Sequence, residues 1–282
     1  MEIKRVAVVG GGTMGSGIAH TFAQFGYETT LIESKQEFAD KALKGIAANM
    51  DRQVKKGALT EAQKSEALAR LKPALSMDGA AGADLVIEAV PEVLALKKEI
   101  FGRLDSICPA HAVLASNTSS LPITTIASST KRPGQVIGMH FMNPVPVMKL
   151  VELIRGNATT DETYKTIHEL TLKLGKTPAC SMDYPGFLAN RILMPMINEA
   201  AYCLMEGVGT REDIDTTMKL GMAHPMGPLT LADFIGIDVC VAIMDVLHQG
   251  FGDSKYRCCP LLRQMAQAGR LGRKTGKGFY DY

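Results

Sequence analysis

The chain has 282 residues, of which 46% are hydrophobic and 21% are charged, so it can bury the core of one large domain or two. A formal net charge of +2 argues against a strongly electrostatic nucleic-acid binder, and the apolar runs are too short to span a membrane. The six cysteines lack the spacing of metal ligands and the N-terminus lacks a signal-peptide pattern, so we expect reduced thiols, no metal site and an unprocessed cytoplasmic chain.

The first part of the chain alternates between strand-like and helix-like patterns. Residues 6–9 form a short β-type run, residues 14–25 place apolar side chains at helical spacing, and residues 27–32 form a second strand. Further patterns predict helices over 35–56, 61–71 and 92–104, and strands within 83–92, 111–120 and 134–144. Strands that alternate with helices in this way predict a parallel, doubly wound sheet.

The pattern changes near residues 183–186, whose sequence is DYPG. After this point the strand signals mostly vanish, and helical patterns cover 187–206, 211–220, 229–247 and 261–268. The sequence therefore predicts an α/β fold with a Rossmann-type doubly wound, mainly parallel sheet in residues 1–184. An all-α C-terminal domain is predicted for residues 185–282.

The glycine motif Gly10-x-Gly12-x-x-Gly15, which includes Met14, follows the first predicted strand and opens the first predicted helix. Glycines in this position permit a tight turn and the close approach of a pyrophosphate to the N–H groups of a helix. Glu33 closes the second strand, where a carboxylate accepts hydrogen bonds from the adenosine ribose and repels a 2′-phosphate. The motif predicts NAD as cofactor, and the alternative is a glycine turn in an α/β domain without one.

Three predicted strands end in polar residues, at 88–92, 116–120 and 140–144. Ligands of open parallel sheets lie beyond these carboxyl ends, and His140 stands at one of them. Histidine is suited to take the hydroxyl proton when a hydride leaves a secondary alcohol. Glu152, in the otherwise apolar segment KLVELIRG, is the candidate that orients this base. The alternative for Glu152 is an edge-strand carboxylate that faces water.

Six segments in order carry a family resemblance: VAVVGGGTMGSGIA, IEAVPE, ASNTSSLPI, GMHFMNPVPVMKLVELI, DYPGFLANRI and GMAHPMGPLTLAD. They resemble the L-3-hydroxyacyl-CoA dehydrogenases, most of all the short bacterial forms that act on 3-hydroxybutyryl-CoA, and the resemblance runs from residue 3 to the C-terminal end. It implies reversible, NAD-dependent oxidation of (S)-3-hydroxyacyl-CoA to 3-oxoacyl-CoA. Fatty acid, aromatic and polymer metabolism are all consistent with that reaction.

The resemblance also implies roles for individual residues. His140 becomes the base and Glu152 its orienting partner, in agreement with the interpretation of the strand ends. Ser119 and Asn190 become hydrogen-bond donors to the substrate oxygen at C3, which implies a site between the two domains. The residues implied for the cofactor, chiefly for its nicotinamide half, are Glu92, Lys97, Ser119, Asn143 and Lys274.

Arg52 and Lys56 share one face of the long predicted helix because they are four residues apart. The resemblance implies that this pair meets the phosphates of coenzyme A, so an acyl-CoA thioester is the expected substrate. The alternative is a solvated basic face that also includes Lys55.

Two other functions remain open from the sequence. One is a related sugar-acid or β-hydroxyacid dehydrogenase, against which the HFMNP segment and the basic pair argue. The other is a cofactor-binding structural protein, as among the lens crystallins, against which the complete set of four catalytic candidates argues. The family pairs through its helical domain, so the resemblance also implies a homodimer.

Overall fold

The computed structural model describes residues 2–282 and separates the chain into two compact units. The first unit ends at Asp183 and the second begins at Tyr184. Met1, the first residue of the predicted domain 1–184, lies outside the described residues.

The first unit is built on one sheet, which has eight strands within residues 2–282. The strands are β1 (Arg5–Val9), β2 (Glu28–Ile32), β3 (Leu71–Ala74), β4 (Leu85–Glu88), β5 (Val113–Ser116), β6 (Val136–Phe141), β7 (Leu150–Arg155) and β8 (Thr177–Met182). Their order is β3-β2-β1-β4-β5-β6-β7-β8, and all neighbours are parallel except the antiparallel pair β6 and β7. The predicted Rossmann-type, mainly parallel sheet is confirmed.

Helices connect these strands and bury their apolar faces against the sheet. They are α1 (Thr13–Gln24), α2 (Gln36–Lys55), α3 (Glu61–Ala69), α4 (Leu94–Ile107), α5 (Ile123–Ala127) and α6 (Asp161–Lys173). Phe22 of α1 and Ile46 of α2 are fully buried in the same core as Val8 and Ile87 of the central strands. Apolar residues that recur at helical spacing therefore do cover the sheet, as amphipathic helices must.

Both edge strands of the sheet were missed by the sequence patterns. The predicted helix 61–71 is wrong at its end, since α3 stops at Ala69 and Leu71 already belongs to β3. Pro73 within β3 lacks a backbone N–H, which a sheet tolerates only at an edge or a bulge. The strand Thr177–Met182 is mostly half-buried or exposed, so neither edge strand carries the continuous apolar run that marks a buried strand.

The second unit consists of helices that pack around an apolar core. Its helices are α7 (Ala189–Met205), α8 (Arg211–Thr216), α9 (Pro228–Ile235), α10 (Ile237–Phe251) and α11 (Pro260–Gln267). The helix predicted over 229–247 is two helices, because Gly236 adopts a φ of +107° that breaks the helical path and suits glycine. The predicted helix 211–220 likewise ends at Thr216 and continues as a π-helical turn over Thr217–Gly221. The all-α character of this part is confirmed, and no helix in residues 2–282 has both the length and the apolarity to cross a bilayer.

Candidate active site

The turn between β1 and α1 has the shape of a phosphate cradle. Gly10 has a φ of +95°, and a Cβ atom on Gly15 would lie 1.7 Å from the Gly10 carbonyl oxygen, so glycine is required at both positions. A Cβ atom on Gly12 would meet nothing within 4 Å, which shows that the space before the first turn of α1 is open. Backbone N–H groups at a helix N-terminus bind anions, so this turn fits a pyrophosphate.

Glu33 stands beside this turn, directly after β2. Its Oε1 atom accepts a hydrogen bond from the Gly11 amide at 2.5 Å, and its Oε2 atom accepts one from the Ser34 amide at 3.0 Å. A carboxylate held at the end of the second strand suits a ribose with free hydroxyl groups and repels a 2′-phosphate. The N–H donors of the turn and the acceptor carboxylate of Glu33 therefore fit NAD.

His140 and Glu152 face each other across the antiparallel strands β6 and β7. The Nδ1 atom of His140 lies 3.0 Å from Oε2 of Glu152, and both residues are buried. Glu152 is not the solvent-facing edge carboxylate of the alternative interpretation, because β7 lies between β6 and β8. Because a carboxylate only accepts hydrogen bonds, this contact suits a neutral ring with its proton at Nδ1 and its lone pair at Nε2.

Glu92 organises the loop that carries Ser119. Its Oε1 atom accepts hydrogen bonds from the Thr118 hydroxyl at 2.5 Å and from the amides of Ser119 at 3.0 Å and Ser120 at 3.1 Å. Although burial acts in the opposite direction, the positive charge of Lys97 and these hydrogen bonds hold the pKa of Glu92 below its ordinary value. The carboxylate is thus available as an anionic anchor for the loop.

Glu88 and Lys97 form a buried ion pair behind that loop. Lys97 Nζ lies 2.6 Å from Glu88 Oε1 and 3.3 Å from Glu92 Oε2, so the three charges form one chain. The Ser116 hydroxyl and the Val90 amide also donate to Glu88, at 2.6 and 2.7 Å. Sequence reasoning gave Glu88 no role of its own, and the available signal was an acidic residue at the end of an apolar strand.

A side-chain amide links the ends of β5 and β6. The Asn117 Oδ1 atom accepts a hydrogen bond from the Phe141 amide at 2.9 Å. Phe141 follows His140 directly, and Asn117 lies two residues before Ser119. The structure therefore connects the Ser119 loop to the strand end that carries the histidine.

A cavity of about 790 Å³ lies between α2 and the segment that follows β6. Lys41 and Arg52 line it from α2, and Lys56 lines it directly after the last residue of that helix; we call these three residues the α2 basic stripe. Asn143 lines it from the segment after β6, and Glu33 lines it beside the glycine turn. Arg52 and Lys56 are exposed and also line this cavity, so the two cations lie on the wall of a concave surface. Lys41 was missed because it lies outside the pair that the resemblance implied.

Two family models together match nearly the whole chain. Residues 5–184 match the 3-hydroxyacyl-CoA dehydrogenase NAD-binding domain, and residues 186–282 match the 3-hydroxyacyl-CoA dehydrogenase C-terminal domain. The chain belongs to the 3-hydroxyacyl-CoA dehydrogenase family. It is an NAD-dependent oxidoreductase, and the resemblance, the enzyme class and the cofactor expected from the sequence are confirmed.

Individual relatives of this dehydrogenase match it over both units. The probable 3-hydroxybutyryl-CoA dehydrogenase of Bacillus subtilis is 56% identical over 282 residues, which cover 100% of this chain and 98% of the relative. The mitochondrial hydroxyacyl-coenzyme A dehydrogenase of Homo sapiens is 40% identical over 290 residues, covering 99% and 91%. The crystal structure of an (S)-3-hydroxybutyryl-CoA dehydrogenase from Ralstonia eutropha matches with a TM-score of 0.97 and 48% identity, covering 100% and 99%.

The second unit of the dehydrogenase carries the two remaining candidates. Asn190 lies in the first turn of α7, and Lys274 lies in a short 3-10 turn near the C-terminal end. Lys274 Nζ lies 2.6 Å from Asp238 Oδ2, so its charge is paired within this unit. Only the family resemblance pointed to Asn190, since nothing in its local pattern distinguishes it from other helix residues.

The dehydrogenase shows no group of three metal-ligating side chains in the described part of its chain. Burial raises the pKa of the Cys108 thiol to about 11 and that of the Cys240 thiol to about 12. A thiol that stays protonated is a poor nucleophile and a poor ligand. These two cysteines therefore act as small apolar core residues.

Proposed function

We propose that this dehydrogenase oxidises (S)-3-hydroxybutyryl-CoA reversibly to acetoacetyl-CoA, with His140 as the general base. The observation that carries the proposal is the buried contact between His140 and Glu152 at the carboxyl end of β6. The names of the relatives from Bacillus subtilis and Ralstonia eutropha support the four-carbon acyl group.

The histidine moves the hydroxyl proton. In the oxidation, Nε2 of His140 accepts the proton of the C3 hydroxyl group as a hydride leaves C3. The imidazolium that forms is stabilised by Glu152, whose carboxylate also keeps the proton of the neutral ring at Nδ1. In the reduction the same imidazolium returns its proton to the carbonyl oxygen.

Ser119 and Asn190 are proposed to polarise the C3 oxygen. A hydroxyl group and an amide that donate to a carbonyl oxygen stabilise the negative charge that develops there during reduction. Glu92 supports this role of Ser119, because its hydrogen bonds fix the backbone of the serine loop. Asn190 enters the proposal through the family resemblance.

The glycine turn and Glu33 are proposed to hold the adenosine and pyrophosphate of NAD. Glu92, Lys97, Ser119, Asn143 and Lys274 are proposed for the nicotinamide half. Bound NAD supplies the hydride acceptor for oxidation and, in its reduced form, the hydride donor for reduction.

Arg52 and Lys56 are proposed to receive the phosphates of coenzyme A. Both line the large cavity, and a guanidinium and an ammonium group are the usual partners of phosphate. This role explains why these two cations lie beside a concavity, and it favours a CoA thioester over a free hydroxy acid.

We also propose that the second unit joins two copies of the chain. Met194 and Ile197 are buried in its core, whereas Leu220 and Met222 expose 80% and 59% of their surface. Apolar side chains exposed to this extent mark contact surfaces when they cluster. Light scattering that shows a monomer at micromolar concentration would remove this part of the proposal.

A cytoplasmic location and a place in fatty acid metabolism are also proposed, and both rest on the resemblance to the 3-hydroxyacyl-CoA dehydrogenases.

The test is a spectrophotometric assay of NADH oxidation. We expect turnover with acetoacetyl-CoA and none with free acetoacetate, and in the reverse direction turnover with (S)- but not with (R)-3-hydroxybutyryl-CoA. Turnover with free hydroxy acids alone would favour a β-hydroxyacid dehydrogenase. Tight NADH binding without turnover of any acyl-CoA would favour a structural protein.

A further inference from the structure

Lys176 is a buried lysine that the proposed chemistry does not use. It lies directly before β8, and only 6% of the residue is exposed. Burial lowers the pKa of its ammonium group. A buried ammonium group destabilises a fold unless hydrogen bonds replace its water, so this side chain requires specific acceptors.

The acceptors are two backbone carbonyl groups of a single loop. Lys176 Nζ donates to the Val145 oxygen at 2.6 Å and to the Met148 oxygen at 2.8 Å. The amides of Val147 and Met148 both donate to the Pro144 oxygen, at 3.0 and 2.9 Å. We call this segment the 144–148 loop. Its inner hydrogen bonds and Lys176 together fold it into one tight turn between β6 and β7.

The 144–148 loop is also held from its opposite side. Val145 is buried against α1, and a Cβ atom on Gly17 would lie only 2.9 Å from the Val145 Cβ atom. The loop is thus clamped between α1 and Lys176. Its residues Pro144, Val145, Pro146 and Val147 line the large cavity that the α2 basic stripe also lines.

We propose that Lys176 is a positioning residue for the recognition of coenzyme A. By holding the 144–148 loop, it sets the width of the cavity in which the α2 basic stripe receives the phosphates of the nucleotide. This inference rests on the proposed CoA function of the cavity. Because Lys176 acts through the loop, its loss weakens binding of the nucleotide part of the substrate and leaves the reaction of the acyl part at His140 nearly unchanged.

The experiment compares two substrates that differ only in the nucleotide. Acetoacetyl-CoA carries it, whereas acetoacetyl-pantetheine lacks it. For Lys176→Met we expect KM for acetoacetyl-CoA to rise about tenfold, equivalent to ~1.4 kcal/mol. We expect kcat, and KM for acetoacetyl-pantetheine, to stay close to the wild-type values. Lys173→Met is the matched control, because Lys173 is an exposed lysine in the last turn of α6; it leaves both KM values unchanged. Lys176→Arg, which keeps a cationic donor, restores part of the lost affinity.

Other results would overturn either the role of Lys176 or the proposed function itself. Equal losses on both thioesters, or no loss on either, would overturn the role of Lys176. If Lys176→Met does not fold, Gly17→Ala perturbs the same loop from the other side, and the absence of a selective rise in KM for acetoacetyl-CoA there would also overturn it. A wild-type protein that reduces neither thioester would instead defeat the proposed function.

Discussion

Lys97 Nζ lies 2.6 Å from Glu88 Oε1, and the two side chains expose only 1% and 0% of their surface. Removal of one partner from such a pair leaves an uncompensated buried charge, which commonly costs about 3–5 kcal/mol. Here the pair also supports Glu92, whose carboxylate fixes the serine loop. The ion pair therefore matters for both the stability and the geometry of the site.

The first prediction concerns this pair. We expect Lys97→Met to lower the free energy of unfolding by about 3–5 kcal/mol because Glu88 loses its counter-charge. The double variant Glu88→Gln/Lys97→Met removes both charges and recovers most of the loss. Urea unfolding measures all three proteins, with Lys4→Met as the control at an exposed pair. A double variant less stable than Lys97→Met would contradict the explanation.

The second prediction concerns the catalytic pair. His140→Ala removes the general base and is expected to abolish turnover. Glu152→Gln is expected to lower kcat by about 10²–10⁴-fold, because an amide no longer holds the ring proton at Nδ1 and the base loses its correct tautomer. NADH binding, measured by fluorescence, stays within a few-fold of wild type, since neither residue forms the glycine turn. His248→Ala, at an exposed histidine of α10, is the matched control. Intact turnover in His140→Ala would refute the assignment.

The third prediction separates the folding role of the glycine turn from its binding role. In Gly15→Ala the new methyl group collides with the Gly10 carbonyl oxygen, so we expect a loss of about 1–3 kcal/mol in stability together with loss of NAD binding. In Gly12→Ala the methyl group meets open space, so the protein folds normally but binds NAD more weakly. Calorimetry and NADH titration distinguish the two.

The control for these glycine variants is Gly102→Ala in α4, at a residue that does not line the cavity. A Cβ atom there would make an ordinary contact, 3.5 Å from the Ser129 oxygen, and alanine favours a helix interior. We expect unchanged NADH affinity and equal or higher stability. If Gly12→Ala bound NADH as tightly as Gly102→Ala does, the cradle would not be where the pyrophosphate binds.

The fourth prediction concerns pH and His20, which is fully buried on α1. Burial lowers its pKa from 6.5 to about 4, although a hydrogen bond with Gln24 acts in the opposite direction. Below pH 6.5 the unfolded chain binds a proton at this residue, whereas the folded chain does so only near pH 4. The contribution of neutral His20 to the free energy of unfolding is therefore fully present above pH 6.5. This contribution falls by about 3 kcal/mol in all as the pH drops towards 4.

The variant His20→Gln tests this linkage. It lacks the titrating ring, so its stability declines less than that of wild type between pH 7 and pH 4.5. The difference between the two curves isolates His20 from the carboxylates, which titrate in both proteins. Parallel curves from chemical unfolding at several pH values would show that His20 contributes nothing to the decline.

Local patterns were sufficient for the buried elements of the first unit. A central strand such as β4 is apolar up to its last residue, Glu88, and α1 carries apolar residues at helical spacing, so each can be recognised from its own residues. The edge strands β3 and β8 could not be recognised, because a half-exposed strand that gains its partner from elsewhere in the chain carries a weak local signal. The break at Gly236 was likewise invisible, since apolar spacing continues on both sides of it.

The residues of the candidate site also fall into two groups, those that the local sequence identifies and those that only the fold brings together. The sequence by itself determined the glycine turn and Glu33, because backbone sterics and the repulsion of a phosphate by a carboxylate depend on residue type and on position in one strand–turn–helix unit. Only the tertiary structure decided that Glu88 meets Lys97 and that Lys176 meets the Val145 carbonyl, 31 positions away. Such partners depend on which strands and loops become neighbours, and a buried charge reveals its role only when the groups that replace its water are known.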